Sequence, residues 1–103
     1  MKVRFVAEAE ADLEHIADHI AQDDPLRALT FVRELRASCL GLAEFPERYP
    51  LVAHRAEQGI RHRIHGNYAI FYRVEPEEVT VLHMLHGAMD YAAVLFPGAE
   101  DDA

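Results

Sequence analysis

The sequence predicts an α+β domain in which a helical hairpin lies on a mostly antiparallel sheet. Three observations carry this reading. Apolar residues recur at helical spacing over residues 8–44, interrupted once by Asp23-Asp24-Pro25. Two runs of strand-forming residues, Ile60–His65 and Tyr68–Val74, flank Gly66-Asn67, a pair that supplies the positive φ angles of a tight turn. A further run, Val79–His86, follows Glu75-Pro76-Glu77-Glu78, with proline at the favoured second position of a turn.

Taken in order, Lys2–Val6 reads as a short first strand with Val3 and Phe5 on one face. Over Glu8–Gln22, the residues Ala9, Leu13, Ile16, Ala17 and Ile20 form a helical stripe. Glu8, Glu10 and Asp12 occupy its first turns, where the helix dipole favours anions. Asp24 then serves as N-cap and Pro25 as first residue of a second helix. Its stripe is Ala28, Phe31, Val32, Leu35, Cys39 and Leu42, and so short a link makes the two helices antiparallel neighbours. Pro46 ends that helix, and residues 46–58 read as a loop returning to the sheet. Gly87 breaks the last strand, and Asp90–Phe96 reads as a short C-terminal helix before Pro97. The order β-α-α-β-β-β-α gives one domain over residues 1–97, followed by an acidic disordered tail at 98–103. The expected core holds Leu13, Ile16, Ile20, Phe31, Leu35, Leu42 and Phe71.

Composition narrows the function. A chain of 103 residues, half of them hydrophobic and 27% charged, has material for one core. No apolar run approaches the ~20 residues of a membrane span, and no signal-peptide core follows Met1-Lys2-Val3-Arg4. A single cysteine, Cys39, excludes an internal disulfide and reads as a small buried hydrophobe. Together these predict a cytoplasmic protein. The net charge of −8 is unevenly spread, with −5 over residues 1–24, +3 over residues 51–73 and −7 over residues 74–103. So acidic a body argues against direct DNA binding, whose affinity comes from neutralising phosphates. The local basic patch suits an acidic protein segment, or a small nucleic-acid site.

With a two-residue turn at Gly66-Asn67, Ile60, His62 and Ile64 share a face with Ala69 and Phe71, expected under the helices. Arg61, Arg63 and His65 share the opposite face with Tyr68, Ile70 and Tyr72. That face reads as an arginine–tyrosine surface able to stack on bases or to bind carboxylates and phosphates. The alternative is that long amphipathic side chains simply cover a sheet face. On the second helix, Leu29, Arg33, Arg36 and Leu40 form a stripe opposite the core stripe, suited to an amphipathic acidic partner segment. Two stray exposed leucines are the plainer account. Seven histidines give no metal site. His15 and His19, off the core stripe and solvated, lack a third ligand, and the His62/His65 and His83/His86 spacings point the paired side chains to opposite sides of a strand. No phosphate loop or nucleophile elbow is present, and no cofactor is expected.

The residues and their order resemble the ParE-type toxins of ParDE toxin–antitoxin modules, within the RelE/ParE superfamily. The resemblance runs through Ala9-Glu10-Ala11-Asp12-Leu13, Asp24-Pro25, Phe45-Pro46, Gly59-Ile60-Arg61, Gly66–Val74 and Leu85-His86-Gly87. It implies a toxin forming a hetero-oligomer with a ParD-like ribbon-helix-helix antitoxin, and inhibition of DNA gyrase by binding. RelE-type relatives imply the alternative of ribosome-dependent mRNA cleavage. That chemistry needs a basic groove with acid–base groups, for which Arg61, Arg63, Arg73, His83 and Tyr91 are the candidates. Lys2 is the only lysine, and the lysine-rich set of such enzymes is missing. Antitoxin contacts are expected at Leu29, Arg33, Arg36, Leu40, Arg61, Arg63, Tyr68, Tyr72 and Arg73. Many ParE-like sequences carry an arginine after His-Gly, where this chain reads Ala88-Met89-Asp90. The loss of that charge from the C-terminal arm implies a third reading, a weakly toxic or non-toxic antitoxin-binding homologue.

Overall fold

The computed structural model describes residues 1–98, so the acidic tail beyond Gly98 lies outside the described residues. Strand β1 (Lys2–Phe5) leads into helix α1 (Ala7–Ala21) and helix α2 (Pro25–Leu40). Strands β2 (Ile60–His65), β3 (Tyr68–Val74) and β4 (Glu78–His86) follow, then the short helix α3 (Tyr91–Leu95). The sheet order is β1-β4-β3-β2. β1 joins as a fourth strand, parallel to β4, and the other pairings are antiparallel. The linking region is more regular than its sequence suggested, with single 3₁₀ turns at Gly41–Ala43 and Pro46–Arg48 and a 3₁₀ stretch kinked at Arg55 over Ala53–Gln58.

The helix boundaries follow from local chemistry. Asp24 Oδ1 accepts the Arg27 N–H at 3.0 Å, and Pro25 opens α2. Asp90 caps α3 in the same way through the Ala93 N–H. α1 and α2 bury Ala9, Leu13 and Ile16 against Phe31, Leu35 and Cys39.

The β2–β3 register is the one a two-residue turn dictates, with His65 opposite Tyr68, Arg63 opposite Ile70 and Arg61 opposite Tyr72. The facing is the reverse of the sequence-based expectation. Ile70, Tyr72, Val79, Val81 and Met84 pack under the helices, with Tyr68 partly buried beside them. Ile60, Ala69, Phe71 and Leu85 form a second cluster on the other face, closed by Val52 and Phe96. Phe71 is therefore a core residue of the second layer and not of the helical one. The physical reason is that both faces are covered, so neither has to be the polar one.

Pairing between β3 and β4 slips between Phe71 and Tyr72, so that Phe71 faces His83 while Tyr72 faces Val81. The bulge leaves Leu82 as the extra residue. At this irregularity Asp12 of α1 accepts the Met84 N–H at 2.8 Å and lies 2.8 Å from His83 Nδ1. One carboxylate thus ties the first helix to the middle of the sheet.

Candidate partner-binding site

The three hairpin arginines have unexpected partners. Arg61 donates to the carbonyls of Glu47 (3.0 Å) and Tyr49 (2.7 Å), Arg63 to that of Ser38 (2.9 Å), and Arg73 through Nε to that of Gln58 (3.2 Å). These bonds fasten the connection between α2 and β2 onto the sheet. A carbonyl satisfies hydrogen bonding without cancelling charge, and none of the three meets a carboxylate among the described residues. Arg63 also lies over the Tyr49 ring at 5.1 Å, and Arg48 over the same ring at 4.9 Å.

Tyr72 is fully buried and donates its hydroxyl to the Pro46 carbonyl. Burial pushes that hydroxyl up to about 12, against the opposing pull of Arg61. It is a clamp beneath the loop and offers no surface to a partner, which corrects its placement among the contact residues. Tyr68 is half buried, edge-on to His86 at 5.3 Å and 5.6 Å from Phe31.

The α2 stripe does reach the surface. Leu29 is 57% exposed and Leu40 52% exposed. Arg33 is exposed with no partner among the described residues. Arg36 is different: it makes two bonds to Glu10 (3.1 and 3.2 Å) and stacks over Phe5 at 5.0 Å. The Glu10 bond raises its pKa. Arg36 joins the two helices, so only Arg33 is a free cation on this stripe.

Of the residues considered for RNA chemistry, Arg73 and His83 line one pocket with Ile60 and Val94, while Arg61 and Arg63 stand apart from them. Arg61 and Arg63 lie on the helix-covered face with Tyr72. Arg73 lies opposite Ile60, on the face where Tyr91 stacks on Phe71 at 5.3 Å. His83 is turned to Asp12 of α1. The sheet itself separates the arginine pair from Arg73 and Tyr91. Among the described residues, no group of three metal-ligating side chains is arranged to hold an ion, and no helix is long and apolar enough to cross a membrane.

Several surface features escaped the sequence reading. Phe45 is 75% exposed with left-handed backbone (φ 49°), a conformation costing a bulky residue about 1–3 kcal/mol. The visible signal was Phe-Pro followed by the basic-aromatic Arg48-Tyr49 in a stretch read as featureless. The outer edge of β2 is half covered. Val52 donates to Ile60 (2.7 Å) and His62 to Pro50 (3.1 Å). By strand alternation the polar backbone groups of Ile64 point to the open side, and Ile64 is 62% exposed.

The chain aligns with a chain of the "Chromosomal ParDE TA system from P. aeruginosa" at a TM-score of 0.71 and 22% identity, covering 84% of this chain and 95% of that one. It aligns with a chain of the toxin–antitoxin complex RelBE2 from Mycobacterium tuberculosis at 0.62 and 25% identity, covering 82% and 88%. None of the curated proteins compared by sequence matches it. The sequence model of the family described as "ParE toxin of type II toxin-antitoxin system, parDE" matches residues 3–91, and the chain belongs to that family.

Proposed function

We propose that this ParE-family toxin acts by binding, is neutralised by a ParD-like ribbon-helix-helix antitoxin in the cytoplasm, and inhibits DNA gyrase without catalysing a reaction. The observation that carries the non-enzymatic reading is the division of the cationic residues between the two faces of the sheet. General acid–base cleavage of RNA needs its donors and base within hydrogen-bond reach of one phosphodiester. Here Arg61 and Arg63 are spent on carbonyls on one side, while Arg73 and Tyr91 lie on the other.

The exposed Leu29–Arg33–Leu40 stripe supports an amphipathic partner segment, and the open backbone at Ile64 supports an extended one. Purified toxin assayed in parallel should block gyrase supercoiling and leave ribosome-bound mRNA intact. Codon-boundary cleavage abolished by Arg61→Ala or Arg73→Ala would overturn the proposal in favour of a RelE-type ribonuclease. Reversing Arg33 to Glu should weaken antitoxin binding, measured by calorimetry, about tenfold without lowering the melting temperature. The corresponding change at Arg36 should also destabilise the helical hairpin, because Arg36 holds Glu10 and Phe5.

A further inference from the structure

The connection between α2 and β2 gathers three guanidinium groups around one aromatic ring. Arg48 and Arg63 lie over the Tyr49 ring at 4.9 and 5.1 Å, and Arg61 holds the Tyr49 carbonyl at 2.7 Å. Among the described residues none of the three pairs with a carboxylate. Like charges held this close raise one another's energy, and an incoming anion relieves the repulsion while gaining forked, charge-assisted hydrogen bonds. Close in sequence to the cluster stands an exposed apolar side chain, Phe45. Phe45 is held outward by its neighbours. Its own carbonyl accepts the Arg48 N–H at 3.1 Å, Tyr72 clamps Pro46, and Arg61 clamps Glu47 and Tyr49. A buried hydroxyl and a guanidinium thus fix a strained backbone that presents an aromatic ring to solvent.

We infer that Phe45, Arg48, Tyr49, Arg61 and Arg63 form a docking subsite for an extended acidic segment of the antitoxin, separate from the exposed stripe of α2. The inference rests on the proposed toxin–antitoxin reading and names the chemistry of one contact within it. Carboxylates of the segment meet Arg48 and Arg63, and an apolar residue beside them packs on Phe45. A protein segment fits better than nucleic acid because the chain as a whole carries −8, which repels a polyphosphate approaching from a distance, while the cluster attracts at short range.

Two variants separate binding from folding. Arg48→Glu removes a cation that lies over the Tyr49 ring and bonds within its own turn, and Phe45→Gly removes the ring while supplying the residue that left-handed backbone favours. The probes are a synthetic peptide alternating glutamate with leucine, the same peptide with glutamine for glutamate, and a uridine oligonucleotide, each titrated calorimetrically at low and high salt. The glutamate peptide should bind, weaken as salt rises, and lose about tenfold or more in affinity to each variant. Neither variant should lower the unfolding midpoint. The subsite is overturned by equal binding of the glutamine peptide, by unchanged affinity in Arg48→Glu and Phe45→Gly, or by the oligonucleotide binding here in place of the peptide. Those results leave the antitoxin reading standing if Arg33→Glu still weakens the intact complex. If no antitoxin relieves growth arrest, the toxin–antitoxin reading fails instead, whatever the peptide does.

Discussion

Cys39 and Tyr72 show how single buried groups set the pH range of the fold. Burial raises the Cys39 thiol from its ordinary value of 9.0 to about 12, and the Tyr72 hydroxyl from 10.0 to about 12. Both folded values lie above the unfolded ones, so each group's contribution is fully present below its unfolded value and is lost as pH rises toward about 12. Stability should hold to about pH 9 and then fall steeply. Urea midpoints taken between about pH 8 and about pH 11 test this. Cys39→Ala and Tyr72→Phe should each lower the midpoint at pH 8 yet flatten the alkaline decline, and an unaltered decline in both would refute the assignment. The same burial makes Cys39, packed 3.8 Å from the Met84 sulfur, slow to react with thiol reagents. Asp12 acts oppositely, as a polar group that is satisfied. Asp12→Ala strands the Met84 N–H and His83 at the bulge and should cost about 1–3 kcal/mol by chemical denaturation.

At the scale of elements, the parts fixed by local chemistry were legible and the parts fixed by what covers them were not. Asp24-Pro25 located the start of α2 because an N-cap and a proline act within one turn. Gly66-Asn67 located the β2–β3 register because a two-residue turn leaves no alternative pairing. Which face the helices cover was not legible. The hairpin alternates Ile60-Arg61-His62-Arg63-Ile64 against Ala69-Ile70-Phe71-Tyr72, and, apart from exposed Ile64, both sets end up partly or wholly buried, one under α1 and α2 and one under the C-terminal segment. Arginine usually marks the wet face, but Arg61 and Arg63 reach carbonyls at the rim of the helical layer. Exposed apolar side chains were legible where they repeat along a helix, at Leu29 and Leu40, and illegible at Phe45, which sits in left-handed backbone. Phe31, meeting Tyr68 and His65 at 5.6 Å under the hairpin turn, joins the helices to the sheet. Phe31→Ala should cost about 3–5 kcal/mol if the site cannot collapse, whereas a loss within ±0.5 kcal/mol would place it outside the core.

For the whole molecule, the question is where toxicity resides once antitoxin contacts are set apart. The helical hairpin covers one side of the sheet, and the C-terminal segment closes the other with Phe96 buried and Tyr91 on Phe71. Met89 stands where that segment leaves β4. Its N–H donates to the His86 carbonyl at 2.9 Å, which fixes the turn, while its side chain is 49% exposed beside His15, His19 and Asp12. The family resemblance implies a cation in this arm, and the surroundings accept one, since Asp12 and Asp90 lie close in space or sequence. Met89→Arg should therefore fold with a stability change within about ±0.5 kcal/mol, as expected of an exposed site. It should leave antitoxin affinity unchanged, because the residue lies away from both Leu29–Leu40 and the Arg48–Arg63 cluster. Growth arrest after induction, and inhibition of gyrase supercoiling by the purified protein, should both increase. If colony counts and supercoiling are the same for the two proteins while each binds antitoxin equally, the arm does not set toxicity, and the target-binding surface has to be sought on the helical side.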